Sequence, residues 1–209
     1  MQSKSLKTTL IGESTTGKST IVYRMRYNIF NCASECTIGA SFAKLTYNDI
    51  NYELWDTAGQ ERFFALLPMY FRGSRIILFV FDVSNENFKN IDSYIKLVDK
   101  IDNCQIIIIG NKIDLVKETE LLYIKNNLKQ RFDNSVIANK IYDYVFISAK
   151  SGKNFDNLMD ILYKCALKIK TIDDKINKTN NDLDNSNNDI IGTSNIKLNK
   201  KYVNEWCSC

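Results

Sequence analysis

Several short segments of this chain carry side chains whose types and spacing suit a nucleoside triphosphate. The octet Gly12-Glu13-Ser14-Thr15-Thr16-Gly17-Lys18-Ser19 fits G-x-x-x-x-G-K-[ST] at each defined position and follows the run Leu6–Ile11, which ends apolar. A strand that feeds a glycine-containing turn and then a helix surrounds a phosphate chain with backbone N–H groups and a helix N-terminus. Within that loop Gly12, Ser14, Thr15, Thr16 and Gly17 are expected to face phosphate, with Thr20 just beyond. Lys18 is spaced to reach the outer phosphates, and the Ser19 hydroxyl to hold Mg²⁺.

Further along, Trp55-Asp56-Thr57-Ala58-Gly59-Gln60-Glu61 closes an apolar-polar alternation. An Asp at a strand's end is well placed to hold Mg²⁺, usually through a water; Gly59 can offer its N–H to a terminal phosphate, and Gln60 can orient an attacking water. The bland reading of this stretch is a strand ending in an ordinary turn, and it loses force with the phosphate-type loop upstream. Asn111-Lys112-Ile113-Asp114 follows another apolar run. A carboxylate at Asp114 can accept hydrogen bonds from guanine N1–H and its exocyclic amine, which adenine cannot supply. Adenine would leave Asp114 desolvated and unpaired, and sites of that kind discriminate by roughly 10⁴-fold or more. The stem of Lys112 can cover one face of the base, and Ser148-Ala149-Lys150 sits where a loop would touch it from the other side.

These segments must be held by regular elements. Strands are expected at Leu6–Ile11, Ile76–Val83, Gln105–Gly110 and Tyr144–Ser148, near-continuously apolar as central parallel strands are. Helices are expected between them at Lys18–Tyr27, Glu86–Ile101, Glu118–Phe132 and Asn154–Lys170; in the last, Phe155, Leu158, Met159, Leu162 and Ala166 recur at helical spacing. Alternation of this kind argues an α/β fold, a parallel sheet with helices on both faces. One segment departs from it: Phe42–Tyr47 and Ile50–Trp55 flank Asn48-Asp49, a β-hairpin with a two-residue turn that sets Lys44 opposite Glu53 and adds an antiparallel strand. From Thr171 to Trp206 the composition shifts to Asn, Asp, Ser and Lys, expected as a disordered linker to the terminal Cys207-Ser208-Cys209. The expected division is residues 1–170 as one folded domain and 171–209 as tail.

Bulk composition narrows the classes. The chain has 209 residues, enough for one well-buried domain and a tail, and a formal net charge of +4 that is too mild to argue for nucleic acid. It contains no histidine, which removes Ser-His-Asp and Cys-His catalysis and any His-ligated metal. The first ten residues are too polar for a secretory leader, and the longest apolar runs are strand length. The cysteines Cys32, Cys36, Cys104, Cys165, Cys207 and Cys209 therefore read as thiols of a reducing compartment; Cys32 and Cys36 lack further paired ligands for a metal.

The order of these segments resembles a small GTPase of the Ras superfamily, specifically a Rab protein, over about residues 5–170. Rab-type segments stand at Ile38–Phe42, Arg62–Leu67, Tyr70–Ser74 and Phe79–Ser84, and Gly12-Glu13-Ser14, Thr37-Ile38-Gly39-Ala40 and Ala65–Tyr70 are most similar to the early-endosomal subgroup. The resemblance implies a six-stranded, mostly parallel sheet with one antiparallel strand. It implies that GTP or GDP is bound with Mg²⁺ held by Ser19, Thr37 and Asp56, and that Lys18, Thr37, Gly59 and Gln60 serve hydrolysis. Phe30 would pack edge-on against guanine, and Ile38, Phe42, Trp55 and Tyr70 would form the surface that effectors meet. Core packing is the bland alternative for those aromatics. Cys207 and Cys209 resemble the Cys-x-Cys ending that receives two geranylgeranyl chains, not a C-a-a-X box. Implied partners are an exchange factor (GEF), a GTPase-activating protein (GAP) with an arginine finger in trans, effectors, a GDI or escort protein and a prenyl transferase. The implied state is a monomer on the cytoplasmic face of an intracellular membrane, endosomal by subgroup, cycling through cytosol.

The chain departs from the family pattern in two places: the Thr37–Trp55 interval is shorter, and Asn111–Ser148 is longer, with the excess expected near Asp133–Asn139. Two rival readings are a nucleotide-locked scaffold that never cycles, opposed by the intact Lys18, Ser19, Thr37, Asp56, Gly59 and Gln60, and a P-loop ATPase or kinase, opposed by Asp114 and Ser148-Ala149.

Overall fold

A computed structural model describes residues 5–31, 37–85 and 90–190. Its sheet has six strands in the order β2-β3-β1-β4-β5-β6: β1 Leu6–Ile11, β2 Ala40–Tyr47, β3 Ile50–Thr57, β4 Ile76–Asp82, β5 Gln105–Asn111 and β6 Ile141–Phe146. All neighbours run parallel except β2, which pairs antiparallel with β3. Among the described residues five α-helices connect or follow the strands: α1 Lys18–Tyr27, α2 Leu67–Phe71, α3 Ile91–Asp99, α4 Glu118–Asp133 and α5 Phe155–Ile190. Contacts divide the chain into two units, Met1–Ile169 and Lys170–Cys209.

The sheet separates two apolar layers. On β4, Ile76, Leu78 and Val80 pack to one side with α1 and α5 residues Ile21, Leu158 and Leu162. Ile77, Phe79 and Phe81 pack to the other, with Tyr94 of α3 and Phe132 of α4. Strands buried on both faces have no polar face to alternate with, which is why β4 and β5 read as unbroken apolar runs. Phe79, Phe81 and Phe132 form a mutual aromatic contact with centroids 4.5 to 5.5 Å apart.

The hairpin is as expected. Asn48 and Asp49 both adopt positive φ, 47° and 60°, the conformation a two-residue turn needs to match strand twist. That turn fixes the register, so Lys44 lies opposite Glu53 and Phe42 opposite Trp55.

Three expected elements move by more than two residues. β6 begins at Ile141 and ends at Phe146 rather than running Tyr144–Ser148, because Ser148 is claimed by its own turn: its N–H donates to Lys153 O at 3.0 Å and its hydroxyl accepts from Ser151 N–H at 3.0 Å. α3 covers Ile91–Asp99 only; it stops where Ile101 N–H turns back to Val98 O, and residues 86–89 of the expected helix lie outside the described residues. The helix expected to stop at Lys170 continues as backbone helix to Ile190, where a disordered linker is expected from Thr171. Neither Gly nor Pro occurs between Phe155 and Ile190, so no residue forces an end, and Ile172 and Ile176 keep the helical spacing. Among the described residues no helix is long and apolar enough to cross a membrane.

Candidate functional site

Every parallel strand ends toward the same rim, and that rim carries the chemistry, as open α/β sheets arrange it. β1 runs into the loop beginning at Gly12. That loop closes through Gly17, whose φ of 92° lies in the left-handed region and whose Cα leaves room for Asn111: a Cβ there would stand 2.4 Å from Asn111 Nδ2. The next residue, Lys18, starts α1.

Lys18 is buried and donates to two carbonyls of its own loop, Gly12 O at 2.9 Å and Glu13 O at 2.7 Å. Burial pulls its pKa down to about 8 against the charges of Asp56 and Glu13. Gly59 closes over this ammonium so tightly that an added Cβ would lie 2.4 Å from Nζ. A cation held by dipoles and hemmed in by backbone is poised to exchange those carbonyls for phosphate oxygens.

At the N-terminus of α1, Ser19 Oγ donates to Asp56 Oδ2 at 2.6 Å and lies 2.9 Å from Thr37 Oγ1. Thr37 Oγ1 and Ser41 Oγ also reach Asp56 Oδ2, at 3.3 and 3.5 Å. Asp56 is 3% exposed, and its other oxygen, Oδ1, is buried with no hydrogen-bond partner among the described residues. Burial raises the Asp56 pKa, opposed by the hydroxyl donors and by Lys18. Two hydroxyls and a half-unsatisfied carboxylate form a hard-oxygen donor set, which fits Mg²⁺ and leaves positions for water and phosphate.

A cavity of about 400 Å³ lies beside this cluster. Its phosphate end is lined by Ser14, Thr15, Gly17, Lys18, Ser19 and Thr20, with Thr37, Gly59 and Gln60 above them. Its other end is lined by Phe30, Asn111, Lys112, Asp114, Ala149 and Lys150. Four expected residues stand behind the lining instead. Gly12 offers its carbonyl to Lys18, buried Thr16 bonds Glu13 O, Ser148 is fully buried in its turn, and Asp56 sits under the hydroxyls.

Asn111 ties the two ends together: its Nδ2 donates to Thr16 O at 2.8 Å and its Oδ1 accepts from Ala149 N–H at 3.0 Å. Lys112 takes the left-handed conformation, φ 69°, and its ammonium meets Asp82 Oδ2 at 2.6 Å. The expectation for Lys112 concerned its stem; the carboxylate partner for its head came from β4 and has no sequence signal. Thr57 and Leu115 also line the cavity, and Ser41 joins the Asp56 cluster. Thr57 and Ser41 stand inside segments already singled out and Leu115 just beyond one, but only tertiary placement gives each of them a role.

On the outer face of the hairpin, Phe42 and Trp55 meet edge to face at 5.3 Å, and Trp55 and Tyr70 lie 6.2 Å apart. Phe42 is 49% exposed and Ile38 81%, while Trp55 and Tyr70 are half-buried beside them. Lys7 Nζ sits 4.6 Å over the Trp55 ring. Cys207 and Cys209 lie outside the described residues, as do Cys32 and Cys36.

A phosphate loop, a strand-end carboxylate and an Asn-Lys-x-Asp base loop on one rim of this sheet define the P-loop small GTPase class. Comparison with known proteins agrees. The sequence pattern of the Ras family matches residues 7–168. GTP-binding protein YPT53 of Saccharomyces cerevisiae is 38% identical over 171 residues, covering 75% of this chain and 74% of that one. Ras-related protein Rab-21 of Mus musculus is 34% identical over 178 residues, 82% of this chain and 77% of its own, and Rab-21 of Rattus norvegicus matches to the same extent. The chain belongs to the Ras family, and the Rab-type resemblance of its sequence is borne out.

Proposed function

We propose that this chain is a Rab-type switch: it binds GTP and GDP with Mg²⁺, hydrolyses GTP slowly, and recruits effectors to a membrane in vesicle traffic. The observation that carries the reading is the convergence of Ser19, Thr37 and Asp56 at one end of the cavity that has Asp114 and Ala149 at the other. One end suits a metal-bound triphosphate, the other a base with adjacent donors.

Ser19, Thr37 and Asp56 would hold the Mg²⁺. When bound, the ion neutralises charge developing on the phosphate oxygens. Lys18 trades its carbonyl partners for the outer phosphates, Gly59 offers its N–H, and Gln60 orients the attacking water. Thr37 and Gln60 both lie in irregular segments flanking the hairpin. Their contacts to the terminal phosphate hold those segments in one conformation, and loss of that phosphate releases them. The surface formed by Ile38, Phe42, Trp55 and Tyr70 borders both segments and reads out the difference to effectors.

Arg62, the arginine just after Gln60, stacks its guanidinium 4.9 Å from the Phe63 ring. A GAP supplying an arginine in trans would then accelerate turnover about 10³–10⁵-fold. An exchange factor, a GDI or escort protein and a prenyl transferase acting on Cys207 and Cys209 complete the cycle by resemblance. The monomeric, membrane-attached and endosomal assignments rest on the same resemblance, as does treating residues 1–170 and 171–209 as catalytic domain and tail.

Chromatography of the nucleotide released from denatured protein tests the reading first. GDP or GTP near equimolar is expected, with slow GTP turnover that Gln60→Leu depresses while binding persists; ATP or ADP in their place overturns it. Deleting Cys207–Cys209 is expected to shift the protein from membranes to cytosol, and continued membrane association would refute the anchor.

A further inference from the structure

Among the described residues Arg24 is the one buried arginine. It sits two turns along α1 from the phosphate loop, 9% exposed, and among the described residues its hydrogen bonds go to backbone carbonyls. Its Nε donates to Ala149 O, its Nη2 to Lys150 O at 2.8 Å, and its Nη1 reaches Asn28 O at 3.5 Å. The guanidinium is 5.8 Å from the centre of the Phe155 ring, the first residue of α5. Gly152 makes room for it: a Cβ there would stand 3.2 Å from Nη1 on a backbone with φ of 83°.

A planar fork that grips two consecutive carbonyls fixes the orientation of the peptides between them. Here those carbonyls belong to Ala149 and Lys150, both of which line the base end of the cavity. With both carbonyls bonded to Arg24, the loop presents neither of them to the base. Ala149 is held from the other side as well, where its N–H bonds Asn111 Oδ1, and Asn111 in turn bonds Thr16 O in the phosphate loop. A closed circuit results: phosphate loop, Asn111, Ala149, Arg24 and α1, whose first residues are Lys18 and Ser19.

We propose that Arg24 is a positioning residue for the guanine, holding the Ala149–Lys150 loop in its base-contacting shape and tying retention of the base to the helix that grips the phosphates. The proposal rests on the GTPase reading above. A buried cation bonded to carbonyls costs desolvation that ordinary packing would avoid, and its hydrogen bonds among the described residues go to the loop and the end of its own helix.

The test compares Arg24→Met, which keeps the stem and loses the donors, with Arg24→Lys, which keeps a charge and one donor group. Dissociation of fluorescent GDP is measured beside that of the matching 2-aminopurine diphosphate, whose base lacks the O6 acceptor. Arg24→Met is expected to release GDP about tenfold faster or more, with Arg24→Lys in between. The 2-aminopurine nucleotide should be affected much less, because loosened loop N–H groups matter to a base that accepts from them. Arg24→Gln replaces Arg24→Met in the comparison if the latter does not fold. Unchanged GDP release, or equal acceleration for both nucleotides, overturns the positioning role while leaving the GTPase reading intact. Failure of the unmutated chain to retain GDP overturns that reading and this proposal with it.

Discussion

The Ser19 hydroxyl donates to the Asp56 carboxylate at 2.6 Å, joining the first turn of α1 to the end of β3 across 37 residues of sequence. The two sit on neighbouring strands' products: β1 delivers Ser19 through the phosphate loop, and β3 pairs with β1 so that Leu10 stands beside Asp56. Removing the hydroxyl therefore takes one oxygen from the proposed Mg²⁺ site and leaves the buried carboxylate with fewer donors. Ser19→Asn is expected to weaken Mg²⁺-dependent nucleotide retention by about 10–100-fold and to favour GDP over GTP. Nucleotide release measured across Mg²⁺ concentrations checks it; tight GTP retention in the variant would contradict the hydroxyl–metal assignment.

Gly59 leaves no space for a side chain. A Cβ would press on Lys18 Nζ and on the Glu13 carbonyl at 2.5 Å, and neither the loop backbone nor the hemmed-in ammonium can give way cheaply. Gly59→Ala should impair closure around the terminal phosphate, lowering GTP affinity roughly tenfold or more while GDP affinity changes little. Paired titrations with the two nucleotides separate these outcomes; equal losses would mean a general distortion of the loop.

The Lys112–Asp82 contact of 2.6 Å links the base loop to the end of β4, and Asp82 Oδ1 also accepts the N–H and hydroxyl of Ser84. Asp82→Asn should speed GDP release by roughly fivefold, in line with a partly exposed pair worth about 1 kcal/mol. In a Lys112→Ala background the same change should add almost nothing, because the pair is already broken. Additive effects in that cycle would place Asp82's role elsewhere.

Cys165 is fully buried between α5 and the sheet, and burial pushes its thiol pKa up to about 12. The unfolded chain ionises such a thiol near 9 and the folded one near 12, so between those values the folded state holds more protons. This contribution is fully present below pH 9 and is lost as pH rises through that window. Cys165→Ala should flatten the alkaline fall of stability in denaturant melts taken from pH 8 to 11, at the cost of about 1 kcal/mol from the small void. At pH 8 the native thiol should resist maleimide, as should buried Cys104.

How far the sequence could be read depended on how local each signal was. β1 and α1 were legible to the residue because an apolar run, the glycines of the loop and a helical segment follow one another without interruption. The hairpin was legible for the same reason: Asn48-Asp49 dictates its turn, and the turn dictates that Lys44 faces Glu53. Most cavity-lining residues lie in the phosphate-loop, Asn111–Asp114 and Ser148–Lys150 motifs, whereas Phe30 and Thr37 followed from the resemblance and Leu115 from neither. Arg24 was not legible, since its partners lie 125 and 126 residues away and nothing near α1 marks it as anything but a surface cation. Asp82 lies within a Rab-type segment, yet nothing in the sequence pairs it with Lys112. Past Lys170 the Asn- and Asp-rich composition argues for disorder, whereas the absence of any Gly or Pro lets the helix run on to Ile190.

The stacked hairpin aromatics have a spectroscopic consequence. The chain has two tryptophans, Trp55 and Trp206, so a Trp206→Phe variant would hold a single indole emitter. That emitter lies under the Lys7 ammonium, against Phe42 and Tyr70, and directly precedes Asp56. Its intensity and wavelength would respond both to rearrangement of the nucleotide-dependent segments and to coverage by a bound partner. The protein thus carries its own optical readout, and the two events could be timed in one cuvette without any attached dye.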